Sequence, residues 1–113
     1  MSERDCKLLV EDMIEACDKI MKFTSNMNFN SFINDEKTVD AVLRNIEVLG
    51  EASKRLPEDF KNKYDNSIWH KAAGLRNRII HNYFGIDNNI IWNIIENELS
   101  FFRNMLNEIN NKL

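Results

Sequence analysis

Between residues 4 and 24 the apolar side chains Cys6, Leu9, Val10, Met13, Cys17, Ile20 and Met21 recur at steps of three and four, with charged residues between them. A repeat of ~3.6 residues puts those positions on one face, so the spacing predicts an amphipathic helix. Residues 25–31, rich in Ser and Asn, interrupt it, because these side chains compete for backbone hydrogen bonds and favour turns. A short helical turn is expected around Phe32. Asn34 or Asp35 can cap a second long helix, whose positions Val39, Val42, Leu43, Ile46, Leu49, Ser53 and Leu56 step in the same way until Pro57 ends it. Gly50 lies inside this helix at a cost of ~1 kcal/mol against alanine, so another helix is expected to approach closely there.

Pro57 suits the start of a short helix over residues 58–64. Ser67 is expected to cap the next helix, which runs through Trp69 to about Tyr83. Gly85 suits a left-handed helix exit, and Asp87 can cap a last helix over residues 88–111 that buries Ile91, Ile94, Ile95, Phe102, Met105 and Ile109. The expected fold is all-α: an up-down bundle of four main helices plus a short fifth, in a single domain spanning residues 1–113.

Composition narrows the function classes. Three glycines and one proline suit helices better than a β sandwich. A net charge of −3 gives the whole molecule no pull towards nucleic acid or anionic membrane, so any such binding must be local. With no apolar run of ~20 residues and a charged amino terminus, the chain is expected to be soluble and cytoplasmic, without membrane contact. Cys6 and Cys17 on one helix would lie roughly 16 Å apart, beyond disulfide reach, and are expected to be packed thiols. No Cys-x-x-Cys or His-x-x-x-His pair exists, so neither a metal site nor a cofactor is expected.

Local positive charge is found in residues 66–86, which contain Lys71, Arg76 and Arg78 and no acidic residue. Within this segment the run Arg76-Asn77-Arg78-Ile79-Ile80-His81-Asn82-Tyr83 holds the groups that metal-free RNA cleavage needs. Histidine exchanges protons near neutral pH with the ribose 2′-hydroxyl or the leaving oxygen, and arginine grips phosphate oxygens as a permanently charged fork. Arg76 and His81 are the candidate catalytic pair, with Lys71 and Arg78 as further phosphate contacts. On a continuous helix His81 would stand about 140° around from Arg76 and Tyr83 about 20°. Arg76 and His81 would then line two sides of a groove, the more so if the helix loosens before Gly85. Asn77, four residues before His81 and on its face, would hydrogen-bond the ring and fix its tautomer. One Arg and one His per chain is a thin set, which a symmetric dimer would double.

On spacing alone a histidine beside basic residues at a helix end is more often a solvated group than a catalyst. His70, in the first turn of its helix, fits that bland role better than His81. Trp69, Trp92, Phe101 and Phe102 read as core or dimer contacts. Glu51 either pairs with an arginine of the motif helix or is solvated.

The arrangement Arg-x4-His-x-Tyr, beginning Gly74-Leu75-Arg76-Asn77 and running into Tyr83-Phe84-Gly85, resembles the signature of the HEPN superfamily, specifically the HepT-like toxins. The likeness extends to Ala41-Val42-Leu43-Arg44-Asn45, to Gly50-Glu51-Ala52, to Trp69 and to Ile90-Ile91-Trp92. Ser67-Ile68-Trp69 departs from it, since relatives often have proline before the tryptophan. The resemblance implies a HEPN-like homodimer with the motif at a cleft between subunits and metal-independent endoribonuclease activity on RNA. It gives Arg76 and His81 the catalytic roles, Asn77 a supporting one, and Tyr83 the place of the tyrosine that a cognate minimal nucleotidyltransferase antitoxin modifies with adenylate. An alternative reading is a non-catalytic helical module that docks such a nucleotidyltransferase and presents RNA or a nucleotide to it. A purely structural adaptor is the third.

Overall fold

Ser2 and Asp5 close a capping box at the start of α1 (Glu3–Phe23): the Asp5 N–H donates to Ser2 Oγ at 3.1 Å and the Ser2 N–H to Asp5 Oδ2 at 3.2 Å. Two of the donors orphaned at a helix start are thereby satisfied. The same device recurs with Asn28 and Ser31 at α2 (Phe29–Ile33), which buries Phe32 against Trp92. Asp35 caps α3 (Glu36–Arg55) by accepting from the Thr38 N–H. Pro57 leads into α4 (Glu58–Lys63). The computed structural model describes residues 1–81 and 85–113, and for His81 the backbone alone.

Asp65, rather than Ser67, caps α5 (Asn66–Ile79). Its carboxylate accepts from both the N–H and the hydroxyl of Ser67, at 3.0 and 2.6 Å. Ionised aspartate is the stronger acceptor at a helix start, which leaves Ser67 inside the first turn. The helix also ends earlier than the apolar pattern predicts. Ile80 takes extended torsions and pairs with Ile86, while His81 pairs with Gly85, so that β1 (Ile80–His81) and β2 (Gly85–Ile86) form an antiparallel ladder. Gly85 has φ +74°, a region that L side chains rarely adopt, and the Asp87 N–H donates to the Ile79 carbonyl at 2.8 Å. The strand pairing therefore replaces the last helical turn at a β-branched Ile79-Ile80 pair, where helix preference is weak.

Asp87 accepts from the Asn89 and Ile90 N–H groups and starts α6 (Asn88–Asn97). The single last helix expected over 88–111 is interrupted at Glu98, where φ −122° begins a second segment, α7 (Leu99–Asn111). Among the described residues these seven helices and one two-stranded ladder make an all-α protein. α3 lies between α1 and α5, α7 packs on α1, and α6 on α5. Val10, Met13 and Cys17 of α1 meet Val42, Ile46 and Leu49 of α3, with Trp69 and Ile79 of α5 and Ile91 of α6 completing a continuous core. No described helix is long and apolar enough to cross a membrane.

Gly50 is buried where α3 crosses α5, as expected, but an added Cβ would stand 3.5 Å from the Ala72 carbonyl oxygen, an ordinary contact. Gly50→Ala should therefore raise stability by about 0.5–1 kcal/mol in urea unfolding, and a loss would show that the crossing is tighter than this.

Cys6 and Cys17 are buried free thiols, and burial, with a smaller contribution from Asp18, pushes Cys17 up to about 12. Native protein at pH 8 should leave Cys17 unalkylated by iodoacetamide, whereas protein in denaturant reacts; fast native labelling would contradict this packing.

Candidate active site

The apolar face of α5 is Ile68, Trp69, Ala72, Leu75 and Ile79, all buried. Two bonds fix its orientation. The buried Ser53 hydroxyl on α3 donates to the Trp69 carbonyl at 2.7 Å, and the Trp69 indole N–H donates to the Lys61 carbonyl at 3.2 Å. With that face turned inward, the polar residues of α5 divide between its two flanks.

Arg76 occupies the flank towards α3. Its side chain is 60% exposed, and Nε lies 3.4 Å from Glu47 Oε1. Arg76, Asn77 and Ala73 form one wall of a groove of about 280 Å³, and Ile46, Glu47, Gly50, Glu51 and Lys54 of α3 form the other. The absent side chain of Gly50 opens the floor of this groove. The bond to Glu47 uses Nε rather than the terminal amino groups of the guanidinium, and a pair this exposed adds little stability, so Glu47 is a weak competitor for an incoming anion.

Lys71 and Arg78 occupy the opposite flank, where both meet Glu98. Arg78 donates through both terminal nitrogens, at 3.1 and 2.9 Å, and Lys71 Nζ lies 3.1 Å from Glu98 Oε1. The hydrogen bond from Arg78, aided by that from Lys71, holds the Glu98 carboxyl below its ordinary range, and Glu98 in turn raises Arg78. The positive patch expected from the acid-free segment is thus divided in two: Arg76 and Asn77 face α3, whereas Lys71 and Arg78 share the single Glu98 carboxylate at the junction of α6 and α7, which offsets one of their two charges. At ~100° per residue Arg76 and Arg78 stand about 160° apart on α5, but that spacing carries no sign of Glu47 or Glu98, which come from distant turns on polar helix faces.

His81 lies beyond the helix, on β1. The continuous helix on which Asn77 is expected to share a face with His81 ends at Ile79, and the His81 side chain lies outside the described residues. Tyr83 falls outside the described residues. His70 is exposed on the first turns of α5, and Glu51 pairs with Lys54 at 3.9 Å, not with an arginine. Trp69 is core; Trp92 is half-buried on Phe32; Phe101 is 70% exposed.

Residues 13–109 match the family described as "Ribonuclease HepT-like". The chain belongs to the HepT-like ribonuclease family. The matched span includes the whole run from Arg76 to Tyr83. Among its relatives, "Putative RNase MJ0127" of Methanocaldococcus jannaschii is 46% identical over 99 residues, covering 88% of this chain and 82% of the relative. "Putative RNase MJ1380" of the same organism is 39% identical over 99 residues, covering 88% and 91%. "Probable ribonuclease HepT" of Thermococcus cleftensis is 38% identical over 97 residues, covering 86% and 88%. No solved structure matches.

A carboxyl whose folded pKa is lowered stabilises the fold above its unfolded value, and that contribution is lost as pH falls through the folded one. Glu98 should therefore add to acid destabilisation below about pH 4.5, by under about 1 kcal/mol given its partial exposure. Glu98→Gln should flatten the dependence of urea midpoint on pH in that range; an unchanged slope would mean that the pairing is not formed in solution.

Proposed function

We propose that this family member is the toxin of a toxin-antitoxin pair: a cytoplasmic, metal-independent endoribonuclease acting as a homodimer. The observation that carries the reading is the placing of Arg76, exposed in the last turn of α5 beside an open groove, with the backbone leaving the helix just before His81. An arginine so placed can exchange its weak contact with Glu47 for a phosphodiester, to which its fork is better matched.

In the proposed reaction His81 takes the proton from the ribose 2′-hydroxyl, and the 2′ oxygen attacks phosphorus. The bond to the 5′ oxygen breaks, and that oxygen leaves with a proton. Arg76 stabilises the charge that builds on the phosphate oxygens, and Asn77, on the same wall, offers a hydrogen bond to the bound strand. A second copy of the chain supplies a second Arg76 and His81, so that one histidine accepts a proton while the other donates. Adenylate on Tyr83, transferred by a minimal nucleotidyltransferase antitoxin, would bring negative charge and bulk to this region and repel RNA.

Purified protein should cut single-stranded RNA in EDTA, and Arg76→Ala and His81→Ala should each lower the rate by about 10²–10³-fold. In cells, His81→Ala should relieve growth arrest, and the nucleotidyltransferase should relieve arrest by the parent but not by Tyr83→Phe. Cutting that requires added Mg²⁺, or an alanine variant as toxic as the parent, would overturn the assignment. RNA binding that Arg76→Ala weakens, in a protein with no turnover, would instead mark a binding module.

A further inference from the structure

In the last turn of α5 the Arg76 carbonyl accepts from the Ile80 N–H, and the Ile79 carbonyl accepts from the Asp87 N–H of the returning chain. Beyond it, Ile80 and His81 pair with Ile86 and Gly85 in the short ladder. The candidate groups Arg76 and His81 lie on either side of this change from helix to strand. Between them stands Arg78, and its two-pronged bond to Glu98 joins the turn to the junction of α6 and α7. The same carboxylate reaches Lys71, two turns earlier on the same flank of α5. One carboxylate thus bridges two turns on this flank of the helix, and it stands where the last helix is interrupted. An ion pair with this degree of exposure contributes little to global stability, whereas a two-pronged guanidinium–carboxylate bond fixes orientation strongly.

We propose that Glu98 is a positioning residue for RNA cleavage, holding the end of α5 through Arg78 so that Arg76 and His81 keep their mutual placing. It rests on the endoribonuclease reading above. Glu98 touches no substrate and acts through Arg78. On this account Arg78 is a structural tether rather than a phosphate contact, which reverses the role that its charge alone suggests.

The test compares the parent with Glu98→Gln, Arg78→Ala and the exchanged pair Arg78→Glu with Glu98→Arg, measuring kcat and KM on single-stranded RNA alongside Tm and amide hydrogen exchange. Glu98→Gln and Arg78→Ala should lower kcat by about 10- to 100-fold, the scale of a misplaced reacting group, with KM within about twofold. Tm should move by no more than about 5 °C. The exchanged pair should recover most of kcat. Independently of activity, the Ile80 and Asp87 amides should exchange about tenfold faster in Glu98→Gln than in the parent. A Glu98→Gln protein with unchanged kcat and a lower KM would overturn the proposal, because it would show Arg78 released to bind RNA. Unchanged exchange at these amides would overturn it as well. A parent that does not cut RNA would defeat the nuclease reading alone, and the exchange rates would still decide whether Glu98 tethers the helix.

Discussion

Val42, Ile46 and Leu49 are fully removed from water because α3 has α1 on one side and α5 on the other. The position of every polar group on α5 follows from that sandwich. Each such side chain is worth about 1.5–3 kcal/mol when buried, against at most about 1 kcal/mol for an exposed ion pair. The hydrophobic contacts therefore choose the rotation of α5, and the charges settle wherever that rotation leaves them. The bond from Ser53 to the Trp69 carbonyl then fixes the register along the axis. Slippage or rotation of α5 would leave a buried hydroxyl unpaired and bring Arg76 or Arg78 into the core.

The two flanks of α5 consequently differ in chemistry. Towards α3, Arg76 meets Glu47 in a loose contact beside an open groove. Towards α6 and α7, Arg78 and Lys71 are closed against Glu98 by three short bonds. An anion approaching this helix meets an exposed, loosely paired arginine on the first flank, but on the second it must displace a carboxylate already gripped in fork geometry. The net charge of −3 reinforces this selectivity, since the protein as a whole offers no general attraction to a polyanion.

The end of α5 is the other constraint on the site. A helix continued to Tyr83 would have carried His81 around to a direction well away from Arg76. Instead the chain turns into a ladder at Ile80, with the positive φ of Gly85 permitting the return and Asp87 closing on the Ile79 carbonyl before it caps α6. His81 is thereby attached to a short paired segment rather than to the helix.

The sequence by itself determined the all-α class, the apolar face of each main helix, the cap at Asp87, the choice of Asn34 or Asp35 before α3, and the run from Arg76 to Tyr83 as the place to look for chemistry. These are local properties: a 3.6-residue repeat, a capping oxygen or a basic segment without acids can be read within a few turns of chain. Tertiary structure decided the rest. The ladder at Ile80 depends on hydrogen bonds to residues that return after a turn, and the interruption at Glu98 has no proline or glycine to announce it. The partners Glu47 and Glu98 lie 29 and 20 residues from the arginines they meet, so no pattern along the chain could join them. Residue type named the groups able to bind phosphate; only the packing of α5 against α3 and α6 decided that Arg76 was left beside an open groove while Arg78 was bound to a carboxylate.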